Sequence, residues 1–214
     1  MKKTGKEDIM ELQIALDRMS YEQCFETLEE VADHVDIIEV GTGVIKEYGL
    51  GIVRDIKDGY KDKKVLADIK ICDAGRSESE VAFSYGADII TVMSFADRKT
   101  IMDCLEVAEQ EGGEVVVDLL NHSGPDVLEM LETIGASSVS AHIGKDQQGG
   151  GASAEKRFVG LDASVFRIYV AGGINEDNLE NYMSLDPAVV IVGSGITKAE
   201  DKKGKAARIR SLMG

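Results

Sequence analysis

The chain has 214 residues, with 24 Lys and Arg against 39 Asp and Glu, a formal net charge of −15 at pH 7. So acidic a chain repels a phosphate backbone, which argues against nucleic acid as a partner but leaves room for a small phosphate held locally by N–H groups or a metal. No run approaches 18 apolar residues, so no membrane partner is expected, and the 43% hydrophobic content suits one domain with a sizeable core.

The opening stretch MKKTGKEDIM is basic but lacks a signal peptide's apolar segment. Residues 1–10 therefore read as a polar lead-in, and 11–214 as one catalytic domain. The three cysteines, Cys24, Cys72 and Cys104, form no CxxC pair and cannot all pair within one chain, the usage of a reduced cytoplasmic protein.

In chain order, an apolar run at 12–16 precedes a helical pattern over 20–32, capped by Ser20 with Cys24, Phe25, Leu28 and Val31 on its inner face. Runs at 37–40, 65–67 and 89–92 follow, then a helix over 97–110 with Ile101, Leu105 and Ala108 inward. After a run at 115–119, Pro125 opens another helix, a position where its missing N–H costs little. A run at 138–141 leads to the glycines 149–151, which read as a mobile loop. Runs at 168–170 and 189–192 and a basic helix over 201–212 close the chain. Run starts are 21 to 30 residues apart, room for a strand, a crossover helix and two loops. Stretches such as VVVDLL are apolar without alternation, as strands covered on both faces are. Eight such units predict an α/β fold of the (β/α)8 TIM-barrel type. An open doubly wound sheet is the alternative, weakened because no Gly-x-Gly-x-x-Gly follows the first run.

In a barrel the C-terminal strand ends share one mouth. Those ends carry Asp17, Glu39, Asp68 with Lys70, Ser94, Asp118, His142, Gly172 with Gly173, and Gly193 with Ser194. Crowded carboxylates need a cation, and oxygen donors suit Mg²⁺, with Mn²⁺ as a substitute. In the segment Asp68-Ile69-Lys70-Ile71-Cys72-Asp73, the two-residue strand period puts Asp68 and Lys70 on one side, while the chain turns before Asp73, which need not share that mouth directly. His142 opens a polar loop and is the candidate acid–base group; His34, before the second strand, and His122, beyond a strand end, are poorer ones. The glycines after the seventh and eighth strands suit a phosphate, so a phosphorylated small molecule is the expected substrate class.

The pieces ELQIALD (11–17), VDIIEVGT (35–42), KVLADIKICDAG (64–75), GADIITV (86–92), VVVDL (115–119), AHIGKDQQ (141–148), VAGGI (170–174) and VVIVGSGIT (189–197) span nearly the whole chain. Together they resemble the 3-hexulose-6-phosphate synthase family, in the suprafamily that also holds orotidine 5′-phosphate decarboxylase and 3-keto-L-gulonate-6-phosphate decarboxylase. The resemblance implies a homodimer with active sites at the interface and a reaction joining formaldehyde to D-ribulose 5-phosphate. It implies Glu39 and Asp68 at Mg²⁺, Lys70 as the active-site lysine, and Asp73 reaching across to the neighbouring site. Asp17 and Asp118 would line the substrate pocket, His142 would move a proton, and Gly173, Gly193 and Ser194 would hold phosphate.

That chemistry would proceed through an enediolate, with the metal and Lys70 holding oxyanion charge and His142 removing the C1 proton. A Schiff base on Lys70 is disfavoured, because flanking carboxylates keep it protonated. The keto-gulonate-phosphate decarboxylase is the alternative; that branch has arginines where this chain has Lys145 and Ser194. An epimerase wants more metal-binding histidines, and a catalytically silent phosphosugar-binding barrel would bind without metal dependence. Two further departures are Gly43, where the synthases usually have proline, and a short sixth helical segment at 153–164.

Overall fold

The computed structural model describes residues 10–144 and 157–214. Eight parallel strands close into a barrel in sequence order: β1 (Glu11–Leu16), β2 (Ile37–Val40), β3 (Lys64–Ile71), β4 (Ile89–Met93), β5 (Glu114–Asp118), β6 (Ser138–His142), β7 (Arg167–Ala171) and β8 (Val189–Val192). The strands pair in consecutive order and β8 returns to β1, with Glu11 opposite Val189. Closure excludes the open doubly wound sheet.

Helices cover the outside: α1 (Tyr21–Val31), α2 (Thr42–Tyr48), α3 (Gly51–Gly59), α4 (Gly75–Ser84), α5 (Arg98–Glu111), α6 (Pro125–Thr133), α7 (Glu180–Met183), α8 (Ser194–Thr197) and α9 (Lys202–Leu212). Ser20 caps α1 in a reciprocal capping box with Gln23, and Asp97 caps α5 through the Lys99 N–H. On α1 the fully buried side chains are Cys24, Thr27, Leu28 and Val31, while Phe25 is only partly covered. The expected loop at 149–151 and residues 153–156 of the segment 153–164 lie outside the described residues. No described helix is long and apolar enough to cross a membrane.

Two apolar zones hold the barrel. One lies between strands and helices and includes Ile14, Ile38, Val65, Ile90, Val117, Val139 and Val190. The other plugs the interior with Ile37, Leu66, Ile89, Val116, Tyr169 and Val189. Inward positions alternate along every strand, so this plug sets the floor of whatever lies above it.

The strand runs foreseen from sequence start within one residue of the observed strands, with one substantive difference. β3 does not stop at 67 but runs to Ile71, and its register with β4 shifts between Ala67 and Ile71. Within this bulge Lys70 has φ +50°. The extra residues reset the two-residue period that sequence reading assumed for Asp68 and Lys70.

Below the barrel, Asp36 ties the first strand to the last helix. It accepts the Leu12 N–H at 2.8 Å and holds Arg210 through both guanidinium nitrogens, Nη2 at 2.8 Å. Burial raises the Asp36 pKa, but the Arg210 contact and the Leu12 N–H outweigh it and the net shift is downward. A carboxylate with a lowered folded-state pKa stabilises fully above its ordinary value of 3.8 and loses that contribution as pH falls through the lower folded value. Asp36→Asn, which keeps an acceptor for Leu12, is expected to cost about 1 kcal/mol at neutral pH, discounted for the pair's partial exposure. Urea unfolding at pH 7 and pH 3 checks this: the gap between variant and parent should narrow in acid.

Candidate active site

The plug residues locate the site by register. Two residues further along the strands from Ile37, Leu66, Ile89, Val116, Tyr169 and Val189 stand Glu39, Asp68, Thr91, Asp118, Ala171 and Ile191. All six line one cavity of about 580 Å³ at the C-terminal mouth. Gln13, Ala15 and Asp17 on the β1 side, and Ser140 and His142 on β6, follow the same alternation into it. Gly172, Gly173, Gly193 and Ser194 complete the rim, so every sequence candidate except Ser94 and Asp73 meets there.

The centre is a hydrogen-bonded chain of charges. Lys70 Nζ donates to Asp68 Oδ1 at 3.0 Å and to Asp118 Oδ2 at 2.8 Å. His142 Nδ1 lies 2.9 Å from the same Oδ2, and Asp118 Oδ1 accepts the Leu120 N–H at 2.9 Å. Desolvation alone would push Asp118 up, but the His142 hydrogen bond and charge, with Lys70, take it down to about 2. An ionised Asp118 makes Nδ1 the protonated nitrogen of His142 and leaves Nε2 as its basic one. Burial opposes charge on His142, yet Asp118 raises its pKa above the ordinary 6.5. Burial likewise opposes charge on Lys70, but Asp68 and Asp118 prevail and raise it. Lys70 is therefore held as a cation at neutral pH, which argues against a Schiff base on it.

Glu39 stands apart from this chain. Desolvation, and then the Asp68 charge, push its pKa up to about 8. Its Oε2 accepts from Gln13 Nε2 at 2.6 Å, while the other amide atom, Gln13 Oε1, is buried without a hydrogen-bond partner. Asp68 keeps Oδ2 on the Thr42 hydroxyl at 2.7 Å. No group of three or more His, Cys, Asp or Glu poised around one point occurs among the described residues. The donor set nonetheless fits a hard divalent cation: two carboxylates, one of them disfavoured as an anion until a positive charge arrives, beside an orphaned carbonyl oxygen.

The opposite wall is backbone. Gly172 and Gly173 both have positive φ, and a Cβ on Gly172 would lie 2.4 Å from the Ile143 carbonyl oxygen, so the loop after β7 passes where only glycine fits. Tyr182 and Asn178 hold this loop by donating to the Gly172 and Gly173 carbonyls at 2.8 and 3.0 Å. α8 begins at Ser194 but has only four residues, so any helix-dipole contribution comes from a single turn. Arg18, Lys46 and Lys198 supply cations around the cavity.

Asp17 accepts the Gly43 N–H at 2.9 Å and pairs with Arg18 at 2.9 Å. A Cβ on Gly43 would approach Asp17 Oδ1 to 2.5 Å, so glycine at this position is matched to Asp17. Asp73 is exposed, accepts the adjacent Ala74 N–H and lies outside this cavity. Ser94 is spent on the His122 carbonyl at 2.7 Å, which corrects its place among the mouth residues. His34 lies in a short turn below the barrel, His122 is exposed, and neither lines the cavity. Lys145 lies outside the described residues. Gln13, Thr42 and Thr91 were missed by sequence reading; Gln13 and Thr91 are lone polar residues inside apolar strands, the signal that would have found them.

The orotidine 5′-phosphate decarboxylase / HUMPS family model matches residues 10–209. A 3-hexulose-6-phosphate synthase of Bacillus subtilis is 35% identical over 207 residues, covering 95% of this chain and 99% of that protein. The crystal structure of 3-hexulose-6-phosphate synthase from Salmonella typhimurium superposes with a TM-score of 0.90 at 39% identity, over 95% of this chain and 98% of the other. A crystal structure of KGPDC from Streptococcus mutans gives 0.85 at 27% identity, over 94% and 96%. With a family match over most of its length, and relatives this similar covered almost end to end, the chain belongs to the orotidine 5′-phosphate decarboxylase / HUMPS family.

Proposed function

We propose that this chain is a Mg²⁺-dependent 3-hexulose-6-phosphate synthase, joining formaldehyde to D-ribulose 5-phosphate and reversibly giving D-arabino-hex-3-ulose 6-phosphate. The observation that carries the reading is the chain from Lys70 through Asp118 to His142, set beside Glu39 and Asp68 and facing a glycine-built wall. Similarity also supports the synthase over the decarboxylase, since identity falls from 39% and 35% with the synthases to 27% with KGPDC.

Glu39 and Asp68 would hold the ion, which when bound supplies Lewis-acid stabilisation of negative charge on substrate oxygens. Backbone N–H groups at Gly172, Gly173, Gly193 and Ser194 bind the phosphate and fix the sugar's far end, while Asp17 and Asp118 line the substrate's path. His142 Nε2 removes the C1 proton. Lys70, a cation fixed between two carboxylates, stabilises the enediolate charge that develops. The C1 electron pair then forms the bond to the formaldehyde carbon, and the aldehyde oxygen takes up the proton that His142 carried. Asp118 supports the imidazolium formed between these steps. Asp73, outside its own cavity, serves the site of a second copy in a homodimer. The exposed apolar side chains Val81, Phe95 and Met102, at 45%, 54% and 46% exposure, support an interface on the α4–α5 side.

Purified protein should consume formaldehyde with ribulose 5-phosphate, lose that turnover on chelation and regain it with Mg²⁺. Faster release of CO₂ from 3-keto-L-gulonate 6-phosphate would transfer the assignment to the decarboxylase, and full turnover after chelation would remove the metal.

The neutral imidazole is the base, so kcat/KM should rise with pH. Because Asp118 holds the His142 pKa up, the rise should centre above 6.5. Asp118→Asn removes the raising charge; the rise should move to lower pH and kcat fall by roughly 10²-fold. An unmoved profile would argue against His142 as base.

Inactive Asp73→Asn and Lys70→Ala homodimers should regain activity when their subunits are exchanged. Absence of recovery after confirmed exchange would contradict the cross-subunit role.

A further inference from the structure

We infer that Thr91 is a positioning residue: its hydroxyl fastens Asp68 and Lys70 into one fixed geometry. The argument begins at the β3 bulge. Pairing with β4 runs through Leu66–Ile89 and Ala67–Ile90 and resumes only at Ile71–Val92. Three residues of β3, Asp68 to Lys70, thus stand against the single residue Thr91. Lys70 adopts φ +50°, a left-handed conformation that a residue with a Cβ takes only when its surroundings impose it. The shift takes the Lys70 N–H out of the strand ladder, and an unpaired amide there would favour return to ordinary pairing.

Thr91 supplies the missing acceptor. Its Oγ1 accepts the Lys70 N–H at 2.9 Å and lies 2.8 Å from Asp68 Oδ1. A hydroxyl has one proton, so acceptance from the amide directs that proton to the carboxylate. Asp68 Oδ1 also accepts from Lys70 Nζ at 3.0 Å. The Thr91 hydroxyl therefore holds Lys70 at its backbone directly and at its ammonium through Asp68. Thr91 is buried to 6% exposure, so water is a poor substitute. It is also the only polar side chain on β4, where packing alone would favour valine.

The inference rests on the synthase reading only for the roles of Lys70 and Asp68. Thr91→Val keeps the shape and removes the hydroxyl; Thr91→Ser keeps the hydroxyl. The valine variant should lose roughly 10²-fold in kcat, with KM for ribulose 5-phosphate within about threefold, because the phosphate is held on another wall. The serine variant should restore kcat to within about threefold of the parent. Circular dichroism and thermal unfolding establish that both are folded. Parental kcat in the valine variant, or equal loss in a folded serine variant, would overturn the inference. If the valine variant does not fold, amide hydrogen exchange in Thr91→Ala decides. Exchange at Lys70 should rise at least about tenfold while Ala67 and Val92 stay protected, and unchanged protection at Lys70 would refute the anchor. A parent protein without synthase turnover would sink the synthase reading instead, and the exchange measurement would still judge the anchor.

Discussion

An ammonium group held 3.0 Å from one carboxylate and 2.8 Å from another, in a largely buried barrel mouth, constrains everything around it. Removing either acid would leave charge without compensation in a poorly solvated place, which is costlier than never burying the pair. The Asp118 oxygen that holds Lys70 also receives His142, so the lysine's position and the imidazole's tautomer are set together. With Lys70 and His142 spent on Asp68 and Asp118, little positive charge is left for Glu39. Its upward displacement to about 8 comes first from burial and then from the Asp68 charge, which Lys70 and His142 offset only in part, and a divalent cation is the group that would end it.

The strand period links the chain's apolar pattern to this chemistry. Six plug side chains form the floor, and stepping two residues along each strand gives Glu39, Asp68, Thr91, Asp118, Ala171 and Ile191. Polar residues at these positions lie one layer above the dry interior and offset their burial through the hydrogen bonds and ion pairs they make with one another. The fold and the charged members of the site were legible for this reason: eight regularly spaced runs, seven of which contain or lead to an acid, a lysine, a histidine or glycines. The bulge in β3 was not. KVLADIKI offers no glycine or proline at the position where the chain adopts a left-handed turn, and Lys70 is held there by contacts from β4 and β5 that only the folded barrel brings near. Gln13 and Thr91 escaped notice because neutral polar residues in strands are usually structural. Ser94 misled because its strand-end position points its hydroxyl to the His122 carbonyl instead of the cavity.

The glycine positions divide by what they exclude. Gly172 is required by backbone, since the Ile143 carbonyl occupies the space a Cβ would need. Gly43 is required by a side chain, since Asp17 Oδ1 lies in that space and accepts the Gly43 N–H. A proline there would remove the donor as well as collide with Asp17. The loops after β1 and β2 are thereby joined by a hydrogen bond at the rim, next to the cations Arg18 and Lys46.

Those cations resolve a tension between the charge of the whole chain and the ligand it is suited to bind. A net charge of −15 repels a phosphorylated sugar at long range, but at physiological ionic strength that repulsion is screened within about 8 Å. Inside that distance the ligand meets Arg18, Lys46 and Lys198 around the mouth, N–H groups along the glycine wall, and Lys70 at the centre. Acids on the outer helices are too far away and too well solvated to offset them. The acids that do face the ligand are paired, Asp68 and Asp118 with Lys70 and His142 and Asp17 with Arg18, or, for Glu39, held back from ionising. The local field at the mouth is therefore set by a handful of placed groups, and an acidic protein keeps a pocket suited to an anion.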